Sequence, residues 1–155
     1  KINHPDFPNQ TVEVGGIAPY AKLNPPISYL NETTDKHLKF FKAFTAQMPD
    51  VQILNVKTEA VSAGLTRVTV QVINKGLLPT GSEIGDRVRW VQKVRTEVKT
   101  SSAQTIISGK KVNLRGAMSA GESQEYSWLI SGSGSITIEA GNAMTGIKTV
   151  SVALK

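Results

Sequence analysis

From Val51 to the carboxy terminus, apolar residues recur at every second position rather than every third or fourth. That period belongs to strands with one buried face. Val68, Val70 and Val72 alternate with Arg67, Thr69 and Gln71. Tyr126, Trp128 and Ile130 repeat the pattern, as do Ile136 and Ile138, and then Val150, Val152 and Leu154. Val51 and Ile53 begin a further strand whose phase slips to Leu54 and Val56, consistent with a bulge. Thr105–Ile107 and Val112–Leu114 flank a Gly109-Lys110 turn; Asn74-Lys75-Gly76, Pro79-Thr80-Gly81-Ser82 and Gly132-Ser133-Gly134 punctuate the rest. Arg87–Val98 reads as one long strand, with Val88, Trp90, Val94 and Val98 on its inner face. About seven short strands with Gly-rich turns and no helices between them predict a mainly β fold, an immunoglobulin-like antiparallel β-sandwich. A parallel sheet would need alternating helices.

The first part of the chain is different. Five of the seven prolines precede residue 31. They fix φ and push their predecessors toward extended backbone. An irregular Pro-rich segment follows, with a short strand at Thr11–Val14. Residues 34–48 read as one amphipathic helix: Leu38, Phe41, Thr45 and Met48 recur at spacings of three and four, Phe40 and Phe44 widen the stripe, and Lys36, Lys39 and Lys42 keep to the other side. Thr33 or Thr34 is a cap for its start and Pro49 stops it. Phe41, Phe44 and Met48 are expected to pack on the sandwich or on the Pro-rich segment. The expected organisation is a connecting segment with helix over 1–48 and the sandwich over 49–155.

Composition narrows the chemistry. The apolar share is 39% and the charged share 19%, as in soluble globular chains, and no apolar run approaches a membrane span. There is no cysteine and there are two histidines, which excludes disulfides, thiolate chemistry and histidine-rich metal sites. Lys1 in place of Met is read as the start of a processed chain or an excised piece. The net charge of +6 is local: between Arg87 and Arg115 eight cations face one acid, Glu97. Arg87, Arg89, Lys93 and Arg95 fall on the outer face of the long strand and form the candidate interaction patch. A solvated strand face, or contact with an acidic partner, a glycan or another domain, each fits such a patch. Nucleic acid does not, because no aromatic residues interleave on that face. Trp90 and Trp128, in phase with valines and isoleucines, are expected in the core rather than on a sugar-stacking platform.

No catalytic set emerges. Glu13 lacks a positioned partner for general-base work and is read as bonding turn amides near Gly15 and Gly16. His4 before Pro5 reads as a loop anchor or an exposed residue, and His37 as a helix-edge side chain. Ser101, Ser102, Ser131, Ser133 and Ser135 read as turn residues without a nucleophile elbow. No calcium or phosphate loop occurs.

Several stretches carry a resemblance. His4-Pro5-Asp6-Phe7, Thr11-Val12-Glu13-Val14-Gly15-Gly16 and Leu23-Asn24-Pro25-Pro26 are similar to the segment after the catalytic core in bacterial zinc carboxypeptidases of the carboxypeptidase A kind. The helix His37–Met48, ended by Pro49 before Val51-Gln52-Ile53, fits the same proteins. Asn74-Lys75-Gly76-Leu77-Leu78-Pro79-Thr80 and Ile136-Thr137-Ile138-Glu139-Ala140-Gly141 resemble strand-end motifs of their carboxy-terminal β-sandwich. The family's His-x-x-Glu zinc motif is missing, since Phe7 and Phe40 stand three residues after His4 and His37. Its carboxylate-binding Asn-Arg pair and its general-base glutamate are missing too. The resemblance therefore implies a non-catalytic accessory domain, with no cofactor of its own, that stabilises, orients or targets an upstream peptidase core holding the zinc. It implies a secreted or periplasmic setting. The alternative is a free-standing sandwich module for carbohydrate or cell-surface ligands.

Overall fold

The computed structural model describes residues 2–12, 15–17 and 22–155. Glu13, and the end of the strand expected over Thr11–Val14, lie outside them. The chain divides into two compact units, Lys1–Ala43 and Phe44–Lys155.

In the first unit, β1 (Ile2–Asn3) pairs antiparallel with β2 (Thr11–Val12). A 3-10 turn at Ile27–Tyr29 leads directly into α1, Leu30–Thr45. The helix thus starts four residues before the expected position. Pro26 precedes the 3-10 turn and sets the entry, so Thr33 and Thr34 lie inside the helix rather than capping it. Glu32 and Lys36 pair at 2.7 Å along its surface. The expected packing of Phe41, Phe44 and Met48 is corrected: all three are exposed, and no residue of α1 is buried. For Phe41 the physical reason is that none of the described residues of the first unit is buried, so that unit holds no core for the stripe to join.

The second unit is a sandwich of two four-stranded antiparallel sheets. One sheet contains β3 (Val51–Ser62), β4 (Leu65–Asn74), β8 (Ser123–Ser131) and β6 (Thr105–Ser108), in the order β3-β4-β8-β6. The other contains β10 (Gly146–Ala153), β9 (Ser135–Asn142), β5 (Val94–Lys99) and β7 (Val112–Arg115), in the order β10-β9-β5-β7. Hairpins join β3 to β4 and β9 to β10; every connection between β4 and β9 crosses from one sheet to the other. This is the immunoglobulin-like Greek-key arrangement, with eight strands where the sequence suggested about seven. The slip in β3 is a bulge: its register with β4 shifts between Leu54 and Lys57, and Asn55 there takes φ of 50°.

Alternation fills the core as read. Val68, Val70, Trp128, Ile130, Ile136, Ile138, Val98 and Val152 form one buried cluster; Val51, Val72, Val94, Met118 and Ala140 form a second. On β5 the inward positions are Val94, Thr96 and Val98. Thr96 Oγ1 is, among the described residues, the one buried side-chain polar atom without a hydrogen-bond partner. Such a hydroxyl loses its water and gains nothing. Thr96→Val keeps the shape and removes the orphan, so it should raise unfolding free energy by about 1 kcal/mol. Urea denaturation of the two proteins checks it.

Candidate binding surface

The long strand expected over Arg87–Val98 does not form. Its first residue ends a short helix, and residues 88–93 are turn and loop. Ser82 caps α2 (Glu83–Arg87) with its side-chain oxygen accepting from the Gly85 amide at 3.1 Å. The helix then closes through a paired C-terminal motif: Arg89 N–H donates to Asp86 O at 3.1 Å and Trp90 N–H to Gly85 O at 2.9 Å. Arg89 takes φ of 59°, the left-handed residue that this motif requires. A Cβ on Gly81 or Gly85 would stand 2.6 or 2.4 Å from Val91 side-chain atoms. Val91 thus faces the protein, and Trp90, one residue earlier, faces out.

Trp90 is 88% exposed. This corrects the core assignment of Trp90 and Val88; Trp128, at 1%, is core as expected. Val88 and Ile84, four apart along the helix and its end, are also exposed. The alternation failed here because cations at odd positions and apolar residues at even ones mimic a strand over a five-residue helix too short to show its own period. The usable cue was Ser82 three residues before Gly85, a helix start without an apolar stripe.

The four patch residues therefore do not share one strand face. Arg87 ends α2 and pairs with Glu83 at 2.8 Å. Arg89 sits at the turn after the helix, and Lys93 in the loop before β5. Only Arg95 lies on the outer face of β5, paired with Glu97 at 2.8 Å. Lys99 pairs with Glu139 at 2.6 Å, and Arg115 with Glu122. Among the described residues, neither Arg89 nor Lys93 has an ion-pair partner.

Three loops meet at this end of the sandwich. The β4–β5 segment touches the β9–β10 hairpin where Asn142 Nδ2 donates to Gln92 O at 2.9 Å. It touches the β7–β8 loop where Thr80 N–H donates to Met118 O at 3.0 Å and Thr80 Oγ1 accepts from Met118 N–H at 2.9 Å. Below the loops, Leu114, Arg95, Gly141 and Ile147 stand side by side across β7, β5, β9 and β10. They line an open groove of about 390 Å³ together with Gln92, Lys93 and Asn142. The groove combines apolar walls with two cations and no carboxylate, which is no catalytic set.

In the β7–β8 loop, Arg115 and the Ser119 amide both bond the Glu122 carboxylate. The hydrogen bond from Arg115, then that from Ser119, holds this carboxyl below the usual range, while Glu122 raises the Arg115 pKa. A depressed carboxyl stabilises the fold above its ordinary value of 4.5, and that contribution disappears as pH falls through the lower folded value. Glu122→Gln should thus be less stable than the natural protein at neutral pH, by no more than about 1 kcal/mol for so exposed a pair. The difference should close in acid. Thermal melts across pH 2.5–7, on the order of the range where carboxylates titrate, read it.

The histidines bring no site together. His4 Nδ1 accepts from the Asp6 amide at 3.2 Å, and its ring lies 5.5 Å from that of Phe7, a local turn contact. His37 is exposed on α1. Among the described residues no three His, Asp or Glu side chains are placed to hold a metal ion. No described helix is long and apolar enough to cross a membrane.

Residues 50–153 match the family described as a domain of unknown function, DUF8731, and the chain belongs to it. No curated protein matches in sequence. Among solved structures, the chain is similar to DesR, a β-glucosidase from Streptomyces venezuelae, at 16% identity and a TM-score of 0.32, over 69% of this chain. It is also similar to a GH3 β-glucosidase from Bifidobacterium adolescentis, at 19% identity and a TM-score of 0.33, over 68% of this chain. The match spans 15% and 17% of those two chains.

Proposed function

We propose that this chain is a non-catalytic accessory region of a larger secreted or periplasmic protein, and that the sandwich stabilises, orients or targets an upstream zinc carboxypeptidase core. The parentage comes from the sequence resemblance. The structural observation that supports the reading is α1, whose apolar residues Leu38 and Phe41 are half exposed on a helix with no buried residue. Helices with such a stripe are stabilised mainly by packing it against another body, here the peptidase core. In this reading the catalytic residues and the zinc belong to the upstream core.

The test uses the natural protein, isolated through an antibody to the sandwich. It should contain one zinc and cleave carboxy-terminal residues from peptides, and Phe41→Asp should lower its melting temperature. A natural protein free of zinc and of carboxypeptidase activity overturns the reading. Exposed Trp90 favours a second reading, in which the sandwich is a module for a carbohydrate or cell-surface ligand.

A further inference from the structure

The most unusual surface of the sandwich is its β4–β5 end. Ile84, Val88 and Trp90 are 71%, 66% and 88% exposed within seven residues. Met144, at the tip of the adjoining β9–β10 hairpin, is 64% exposed. That hairpin is fixed by Asn142 Oδ1, which accepts from the Met144 and Thr145 amides at 3.0 and 2.9 Å. Capping by Ser82, the closed helix end and the Val91 contact hold the β4–β5 segment equally firmly. Large apolar side chains are thus presented on anchored loops, beside two cations, Arg89 and Lys93, that have no ion-pair partner among the described residues.

Two acids lie nearby, Glu83 and Asp86. Glu83 is bound to Arg87. The Asp86 carboxylate stands 2.6 Å from where a Cβ on Gly116 would be, against the β7–β8 loop. A sugar-binding platform would set hydrogen-bonding carboxylates or amides beside the aromatic ring. Trp90 instead adjoins Val88 and Arg89 in sequence, and among the described residues neither Arg89 nor Lys93 has an ion-pair partner. That combination matches the interface of an anionic bilayer. Aliphatic side chains enter the acyl boundary, the amphipathic indole sits at headgroup level, and Lys and Arg meet lipid phosphates.

We propose that the β4–β5 end of the sandwich seats on an anionic lipid surface, with Ile84, Val88, Trp90 and Met144 inserting and Arg89 and Lys93 contacting headgroups. The inference gives a target to the accessory reading and rests on that reading only for its biological purpose. Vesicle binding tests this surface, whereas zinc and peptidase assays test the parentage, so either can fail alone.

The experiment is co-flotation of the full chain with vesicles of phosphatidylglycerol and phosphatidylcholine in equal parts, against pure phosphatidylcholine. The chain should float with the anionic vesicles only, and added salt should weaken the binding. Tryptophan emission should shift to the blue, the change arising from Trp90 because Trp128 is already buried. Arg89→Gln with Lys93→Gln should weaken binding roughly thirtyfold, at about 1 kcal/mol for each cation near the surface. Ile84→Ser with Trp90→Ser should abolish binding and the emission shift. These side chains are exposed, so both variants should keep the parent melting temperature, which separates lost binding from lost folding. Absence of co-flotation overturns the proposal. So does binding that survives Ile84→Ser with Trp90→Ser, which would be surface adsorption by charge alone. Retention on a soluble anionic polysaccharide without vesicle binding overturns it in favour of a glycan.

Discussion

Asn74→Ala should cost about 3–5 kcal/mol, enough to unfold a marginal domain. Asn74 is fully buried at the end of β4. Its Oδ1 accepts from the Asp50 and Gly76 amides, each at 3.1 Å. Its Nδ2 donates to Leu78 O at 2.8 Å and to Met118 O and Ser119 O at 3.2 Å. One side chain thus ties the start of β3, the turn after β4 and the β7–β8 loop. Its backbone adds two bonds, to Glu122 O at 3.0 Å and from the Gly121 amide at 2.9 Å. Truncation leaves two amides and the Leu78 carbonyl without their partner. Met118 O and Ser119 O keep other donors, Thr80 and Glu122. Each orphan costs about 1–3 kcal/mol, reduced where water can enter. Asn74→Asp separates hydrogen bonding from volume: it conserves shape but turns a second oxygen toward three carbonyls, and it should be no better than alanine. Equilibrium denaturation measures both variants. A cost under about 1 kcal/mol for Asn74→Ala would show that water replaces the network.

Trp128→Ala should cost a similar amount, about 3–5 kcal/mol, through lost burial and an unfilled cavity. The indole lies in the main cluster, and its Nε1 donates to Lys110 O at 2.8 Å. It stacks on Tyr126 with centroids 6.1 Å apart. Gly109 closes over it: φ is 98°, and a Cβ there would fall 2.6 Å from Trp128 Cδ1. Trp128→Phe keeps much of the volume and leaves the Lys110 carbonyl its second donor, Asn113 Nδ2 at 3.2 Å, so it should cost only about 1 kcal/mol. Near-ultraviolet circular dichroism with chemical denaturation resolves the two. A tolerated Trp128→Ala would place the decisive packing elsewhere.

The same loop shows where sequence reasoning ended. Thr105–Ile107 and Val112–Leu114 look like neighbouring strands around a turn, yet β6 joins β8 in one sheet and β7 joins β5 in the other. The local pattern carries strand and turn but not the sheet to which a strand belongs, since both inner faces want the same apolar residues. The candidate patch shows a second limit. Arg95 kept its outward place because β5 is a true strand with Val94 and Val98 inside. Arg87, Arg89 and Lys93 did not, because helix-end hydrogen bonds outcompeted the alternation.

The sequence by itself determined the β-sandwich class, the inward valines of β4, the buried Trp128 and the bulge in β3. All follow from side chains taking opposite sides at successive strand positions. Only the tertiary structure decided that Asn74 is a buried hub, that Trp90 faces outward, and that three loops converge at one end. Those outcomes depend on which backbone groups from distant segments need partners, and chain-local periodicity does not encode that.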